Sequence, residues 1–197
     1  MAADFRKLTL YVLRHGECEH NVERRLASQD DSPLTALGRR QARANGKLLK
    51  ELAGDLGTFD FYASSLHRTC VTMELLREAA GLSPAGYRAD HRLMEMNCGD
   101  QIWLQWADIP EKDHAAYRAN PWHLARPRGE SQAQVHERVG RFLDTLTRDS
   151  VIVSHQIPVR LIRAHYLALT PEEAVRYEHP HVGIMRLSGG SETYFGE

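Results

Sequence analysis

At 197 residues, with a formal net charge of −1 and an ordinary charged fraction, the chain suits one domain with a sizeable core and carries no overall field to recruit nucleic acid or acidic membrane. Three cysteines, Cys18, Cys70 and Cys98, are odd in number and lack metal-ligand spacing, which argues against a disulfide framework and fits a reducing compartment. No signal-length apolar region precedes the first strand, and Ile157 to Leu169 is broken by Arg160, Arg163 and His165, so neither export nor a membrane span is expected and the cytoplasm is the simplest location.

In chain order, the apolar run Leu8, Leu10, Tyr11, Val12, Leu13 reads as a buried strand that delivers Arg14-His15-Gly16-Glu17 and, shortly after, Asn21. Asp30 to Thr35 is a turn signal ending on a helix N-cap candidate, Thr35. Leu37, Gln41, Ala44, Leu48 and Leu52 then recur at helical spacing, with a solvated basic face of Arg39, Arg40, Arg43, Lys47 and Lys50, until Gly54 and Gly57. Phe59 to Ala63 predicts a second strand, and Ser65 is placed to cap the helix carrying Arg68 in its first turn.

Tyr87 to Asp90 is a weak strand candidate leading to Glu95 and Gly99. Residues 102–128 change character, holding Trp103, Trp106 and Trp122 together with Arg118, Arg126 and Arg128. This stretch reads as a capping insertion in a single domain covering 1–197. It has two readings: a lid that buries its tryptophans against the core, or a specificity element whose arginines clasp a second anionic group. Ser131 and Gln134 form a capping-box pattern before another helix. Val151-Ile152-Val153-Ser154 is an apolar strand ending on His155, followed by a helix with Pro158 near its start. Val182 to Leu187 and Glu192 to Phe195 suggest a closing hairpin. The expected fold is α/β: a mainly parallel sheet flanked by helices on both faces.

Arg14, His15, Asn21, Arg68, Glu95 and His155 all fall at strand ends and helix starts, where open α/β sheets place ligands. Together they suit phosphoryl transfer without metal. His15 would attack phosphorus and form a phosphohistidine, Arg14, Arg68 and His155 would hold the non-bridging oxygens, and Glu95 would protonate the leaving oxygen and then activate water. His179 and His181 are candidates for a pocket wall, and the other histidines are assigned to structure or surface.

The ordered series Arg14-His15-Gly16-Glu17 with Asn21, Ser32-Pro33-Leu34-Thr35, Leu37-Gly38, Ser64-Ser65-Leu66 with Arg68-Thr69, Leu93 with Glu95 and Gly99, Gly129-Glu130-Ser131 and Ser154-His155 resembles the histidine phosphatase superfamily, also called phosphoglycerate mutase-like. The resemblance covers nearly the whole chain. It implies His15 as phosphate acceptor, Arg14, Arg68 and His155 as the rest of the phosphate pocket, Asn21 as a further phosphate contact and Glu95 as acid/base. Three departures stand out, one being that Val22 to Gln29 lacks a clean match to the mutase pattern. Gln156 follows His155 where members usually carry glycine, which bears on pocket size and adds a substrate-contact candidate. Ser64-Ser65 replaces the commoner serine-proline pair.

The first expectation is a phosphatase acting on a small phosphorylated metabolite, with no cofactor, no metal, no nucleic-acid or membrane partner and the oligomeric state open. A cofactor-dependent phosphoglycerate mutase-type phosphotransferase is the alternative. Family mutases resemble longer chains with an extra covering insertion and a tail, whereas this chain ends at Gly196-Glu197 after the last predicted strand, so the phosphatase is expected. A phosphoprotein phosphatase and a non-catalytic phospho-ligand-binding module are the remaining readings.

Overall fold

The apolar run that opens the sequence becomes the middle of a sheet. In the computed structural model, which describes residues 4–196, β1 (Leu10–Arg14), β2 (Asp60–Ser64), β3 (Arg88–Asp90), β4 (Ser150–Ser154), β5 (Ile184–Ser188) and β6 (Ser191–Phe195) lie in the order β3-β2-β4-β1-β5-β6. The first four in that order are parallel, and β5 and β6 close one edge as an antiparallel hairpin. β1 and β4 are neighbours with Arg14 level with Ser154, and the His15 amide donates to the Ser154 carbonyl at 2.9 Å. That register brings His15 and His155 out at the same edge.

Alternation along the strands divides the core into two layers. Leu10, Val12 and Ile152 pack with Val139, Phe142 and Leu161 from α5 (Gln132–Leu143) and α6 (Gln156–Leu167). Tyr11, Leu13, Val151 and Val153 face the other way, onto Leu49, Met73 and Leu76 from α2 (Ala36–Ala53) and α3 (His67–Ala79). Both faces of the central strands are therefore covered, which is why they read as continuous apolar runs. Of three shorter helices, α1 (Glu19–Val22), α4 (Glu111–Ala119) and α7 (Pro171–Ala174), α7 adds the buried Ala174 to the first layer and α4 packs Tyr117 against it. No helix among the described residues is long and apolar enough to cross a membrane.

Thr35 caps α2 by accepting from the Gly38 amide, and Ser131 and Gln134 form the expected reciprocal box at α5. Three expectations are corrected. Ser65 does not cap α3: Leu66 holds the N-cap position, and the serine that bonds there is Ser64, whose Oγ accepts from the Leu66 amide. Leu37 lies in the first turn of α2 on its outer side and is 42% exposed, so it is not a core residue. Trp103 and Trp106 are 45% and 46% exposed, and only Trp122 packs against the main core. Residues 102–128 thus do not bury all their tryptophans; Trp106 instead lies along a cavity, with His114 stacked on it.

The turn after β1 passes so close to α2 that backbone meets backbone. A Cβ on Gly16 would stand well under 3.0 Å from the Gly38 carbonyl, and one on Gly38 would meet the Glu17 carbonyl as closely. Neither strand of chain can yield without moving the motif, so Gly16→Ala or Gly38→Ala is expected to cost about 1–3 kcal/mol in urea unfolding. An unchanged midpoint would show that the approach is not a constraint.

Candidate active site

A cavity of about 710 Å³ opens at the carboxyl ends of β1, β2 and β4, and Arg14, His15, Asn21, Arg68, Glu95 and Gln156 all line it. His155 stands immediately behind, its ring centroid 5.1 Å from that of His15 in an edge-on arrangement. The residues expected from sequence are therefore brought together.

His15 is 3% exposed, and its Nδ1 lies 2.7 Å from the Gly16 carbonyl. A carbonyl only accepts, so Nδ1 carries the proton and Nε2 carries the lone pair. His181 fixes the backbone beneath: its Nδ1 donates to the His15 carbonyl at 2.7 Å, and the rings lie 5.4 Å apart. From α3, Thr72 Oγ1 accepts from the Gly16 amide at 3.1 Å, so the turn is anchored on three sides. Burial, then the guanidinium charges of Arg68 and Arg14, then His181, hold the His15 pKa well below the ordinary imidazole value.

Arg68 is 1% exposed, with Nη1 donating to the Asp30 carbonyl at 2.6 Å and Nη2 to the Ser28 carbonyl at 2.7 Å. Ser28 is held at φ 50° while its hydroxyl bridges the Met96 carbonyl and the Cys98 amide, so one residue aims a carbonyl at Arg68 and ties down the Glu95 loop. Arg14 donates to Gln156 Oε1 at 3.4 Å and to the His179 carbonyl at 3.3 Å. Gln156 also accepts from the His179 amide and donates to the Tyr177 carbonyl. Its side chain is thus spent on holding Arg14 and the His179 segment, where sequence left open whether it would crowd the pocket.

His155, fully buried, meets Ser64 Oγ at 2.8 Å through Nε2, while its Nδ1 has no partner. Burial and the nearby Arg68, His15 and Arg14 depress its pKa well below the ordinary value as well. One Glu95 oxygen accepts from the Met96 amide at 2.8 Å and from the Ile157 amide at 3.3 Å, in the first turn of α6. The Glu95 carbonyl is gripped by Gln29 and Arg138, and Arg138 pairs with Glu130 at 2.9 Å. Asn21 spends its Oδ1 on the Cys18 amide and thiol, which leaves its NH2 as the group free to meet a ligand.

Sequence reading missed Ser64 as the partner of His155, Thr72 and His181 as supports of His15, and Arg160 as a wall residue; Arg160 sits four residues after Gln156 on one helix face, a spacing that was available. His179 and His181 do not line the cavity but stand behind Arg14 and His15. Burial depresses both of their pKa values, to about 4 in each case. Among the segment's arginines, Arg118 and Arg126 line the cavity, whereas Arg128 faces solvent and pairs with Asp100. Chemically, the arrangement offers a neutral imidazole nitrogen among buried cations, with a carboxylate beside it: a place for a tetrahedral dianion.

A model of the histidine phosphatase superfamily (branch 1) matches residues 10–194. Among curated relatives, the protein named probable phosphoglycerate mutase GpmB of Klebsiella pneumoniae subsp. pneumoniae is 38% identical over 135 residues, covering 67% of this chain but 60% of that protein's length. Its Shigella boydii serotype 18 namesake is 32% identical over 188 residues, 91% of this chain and 84% of that protein. Among solved structures, the alpha-ribazole phosphatase from Shigella flexneri superposes with a TM-score of 0.77 at 25% identity, covering 96% of this chain and 95% of the other. A mycobacterial glucosyl-3-phosphoglycerate phosphatase does so with a TM-score of 0.79 at 28% identity, covering 96% and 97%. On this similarity, which extends across nearly its whole length, the chain belongs to the histidine phosphatase superfamily, branch 1, a group of phosphatases and phosphotransferases.

Proposed function

We propose that the protein hydrolyses a small phosphate monoester through a phosphohistidine on His15. The observation that carries this reading is the Nδ1 bond of His15 to the Gly16 carbonyl, which leaves an Nε2 lone pair at a cavity lined by Arg14 and Arg68. Nε2 would attack phosphorus in line with the ester oxygen. Arg14, Arg68 and His155 would hold the non-bridging oxygens as negative charge redistributes, with the Asn21 amide as a further donor. The Glu95 oxygen not engaged by the Met96 and Ile157 amides would protonate the departing alkoxide, then take a proton from the water that cleaves the phosphohistidine. In this scheme the guanidinium groups supply the positive charge, so no metal takes part.

Transfer to a second hydroxyl, as in a mutase, uses the same first step and has the names of the GpmB relatives in its favour. Hydrolysis is the better reading because a mutase must keep water from the phosphoenzyme, and Trp106 on the cavity wall is 46% exposed. Both structural neighbours described above also carry phosphatase names.

With EDTA present, release of phosphate from a panel of esters is expected to continue, and His15→Ala to lower kcat/KM at least about 1,000-fold on every one. Undiminished turnover by this variant would overturn the reading. Transfer in preference to hydrolysis would appear as rearranged phosphoglycerate without free phosphate. For Glu95→Gln, the loss is expected to be on the order of 100- to 10,000-fold with alkyl esters and much smaller with nitrophenyl phosphate, whose leaving group needs little protonation.

The pH behaviour follows from the depressed histidines. His15, His155, His179 and His181 are neutral in the fold below the pH at which free imidazole charges, so the unfolded chain binds more protons there. Stability is therefore full above about pH 6.5 and falls as pH drops from there toward 4. Calorimetry should show Tm falling from pH 7 to pH 5, and nitrogen NMR should show His15 Nε2 unprotonated at pH 6. A half-protonated His15 at pH 6.5, or a Tm that rises with acid, would contradict the assignment.

A further inference from the structure

His155 and Ser64 meet in the interior, and neither is exposed to solvent. Every hydrogen on the pair must therefore go to a protein partner or to a ligand. Ser64 ends β2, and its Oγ has two neighbours: the Leu66 amide, which donates to it at 3.3 Å, and His155 Nε2 at 2.8 Å. The amide takes one lone pair. Among the described residues, the hydroxyl hydrogen is left with one acceptor, His155 Nε2.

The two hydroxyl orientations differ in what they leave unmet. If Ser64 donates, Nε2 accepts, and a neutral His155 carries its hydrogen on Nδ1, which has no protein partner. If Nε2 donates instead, the hydroxyl hydrogen is stranded in the core and Nδ1 presents a bare lone pair as well. The first arrangement leaves one unmet group and the second two, each costly when buried. The first also agrees with its surroundings. The Nε atoms of Arg14 and Arg68 are buried donors without partners, on side chains that line the cavity with His15, whose ring lies 5.1 Å from that of His155. An Nδ1 hydrogen adds a third donor to these two, whereas a lone pair there would repel the anion they attract.

We infer that Ser64 is a positioning residue that fixes the tautomer of His155, so that a neutral imidazole offers its Nδ1 hydrogen to the bound phosphoryl oxygens. The inference rests on the phosphatase reading only for the identity of that anion. Donation runs from the Leu66 amide to Ser64, from Ser64 to His155 and from His155 to the anion, each bond polarising the next. Leu66 is the N-cap of α3 and Arg68 lies in its first turn, so one helix start sets two of the donors. His155 thus supplies a hydrogen bond without adding a further buried positive charge beside Arg14 and Arg68.

Nitrogen NMR of histidine-labelled protein reads the tautomer without turnover. At pH 7 the unmodified protein is expected to show His155 protonated on Nδ1 and bare on Nε2, with the Nδ1 signal moving when inorganic phosphate binds. Ser64→Ala is expected to lose that single tautomer and to bind inorganic phosphate roughly 10-fold more weakly, and Ser64→Thr, which keeps the hydroxyl, to restore both in large part. Removing the hydroxyl donor also makes Nε2 easier to protonate, so the deficit of Ser64→Ala should shrink as pH falls from 8 to 5.5. His155 protonated on Nε2 and bare on Nδ1 in the unmodified protein, or Ser64→Ala with tautomer and affinity unchanged, would overturn the inference. If neither variant melts cooperatively, the tautomer of the unmodified protein decides alone. The expected tautomer with phosphate bound but no ester hydrolysed would overturn the phosphatase reading and leave the role of Ser64 standing.

Discussion

One hydrogen bond, from His15 Nδ1 to the Gly16 carbonyl, decides what the rest of the site can do. It fixes the tautomer, and burial among guanidinium groups keeps the ring neutral, so Nε2 is a nucleophile rather than another cation. The Gly16 carbonyl turns back under the ring at a point where Gly16 passes too close to Gly38 for either to carry a side chain. Thr72, Ser154 and His181 hold the same turn from α3, β4 and the segment before β5. Strand register, helix placement and glycine choice thus converge on one proton.

The site concentrates positive charge at a cost in folding. Arg14, Arg68, Arg126 and Arg160 are largely removed from water, and burial works against the charge on Arg14, Arg68 and Arg160. Backbone carbonyls offset part of this: Arg68 receives two, from Ser28 and Asp30, and Arg14 one, from His179. A carbonyl lends partial charge and leaves a guanidinium ready for a full anion, whereas a carboxylate would compete with the ligand. The apolar layers on both sides of the sheet supply the stability against which this strain is held.

Much of this was legible in the sequence, and the reason is local. An apolar run stopped by Arg14-His15-Gly16 reveals a strand end, Ser154-His155 repeats it, and Thr35 and Ser131 announce helix starts through bonds that span only three residues. Arg68 in a first turn is equally visible. What escaped depends on contacts between distant segments. Ser64 was overlooked in favour of Ser65 because its partner, His155, lies 91 residues away. Gln156 read as a possible obstruction because the Tyr177–His179 segment that occupies it joins only through the fold. Trp103 and Trp106 were candidates for burial because composition does not record on which side of a cavity an aromatic falls.

The central claim is that phosphorus passes through His15 on its way to water. The most direct measurement is the stereochemistry at phosphorus, using an ester made chiral with oxygen isotopes and followed by phosphorus NMR of the product. Two in-line displacements, first by His15 Nε2 and then by water, predict retention of configuration. Inversion would mean that water attacks the ester directly, and that His15 is not the nucleophile.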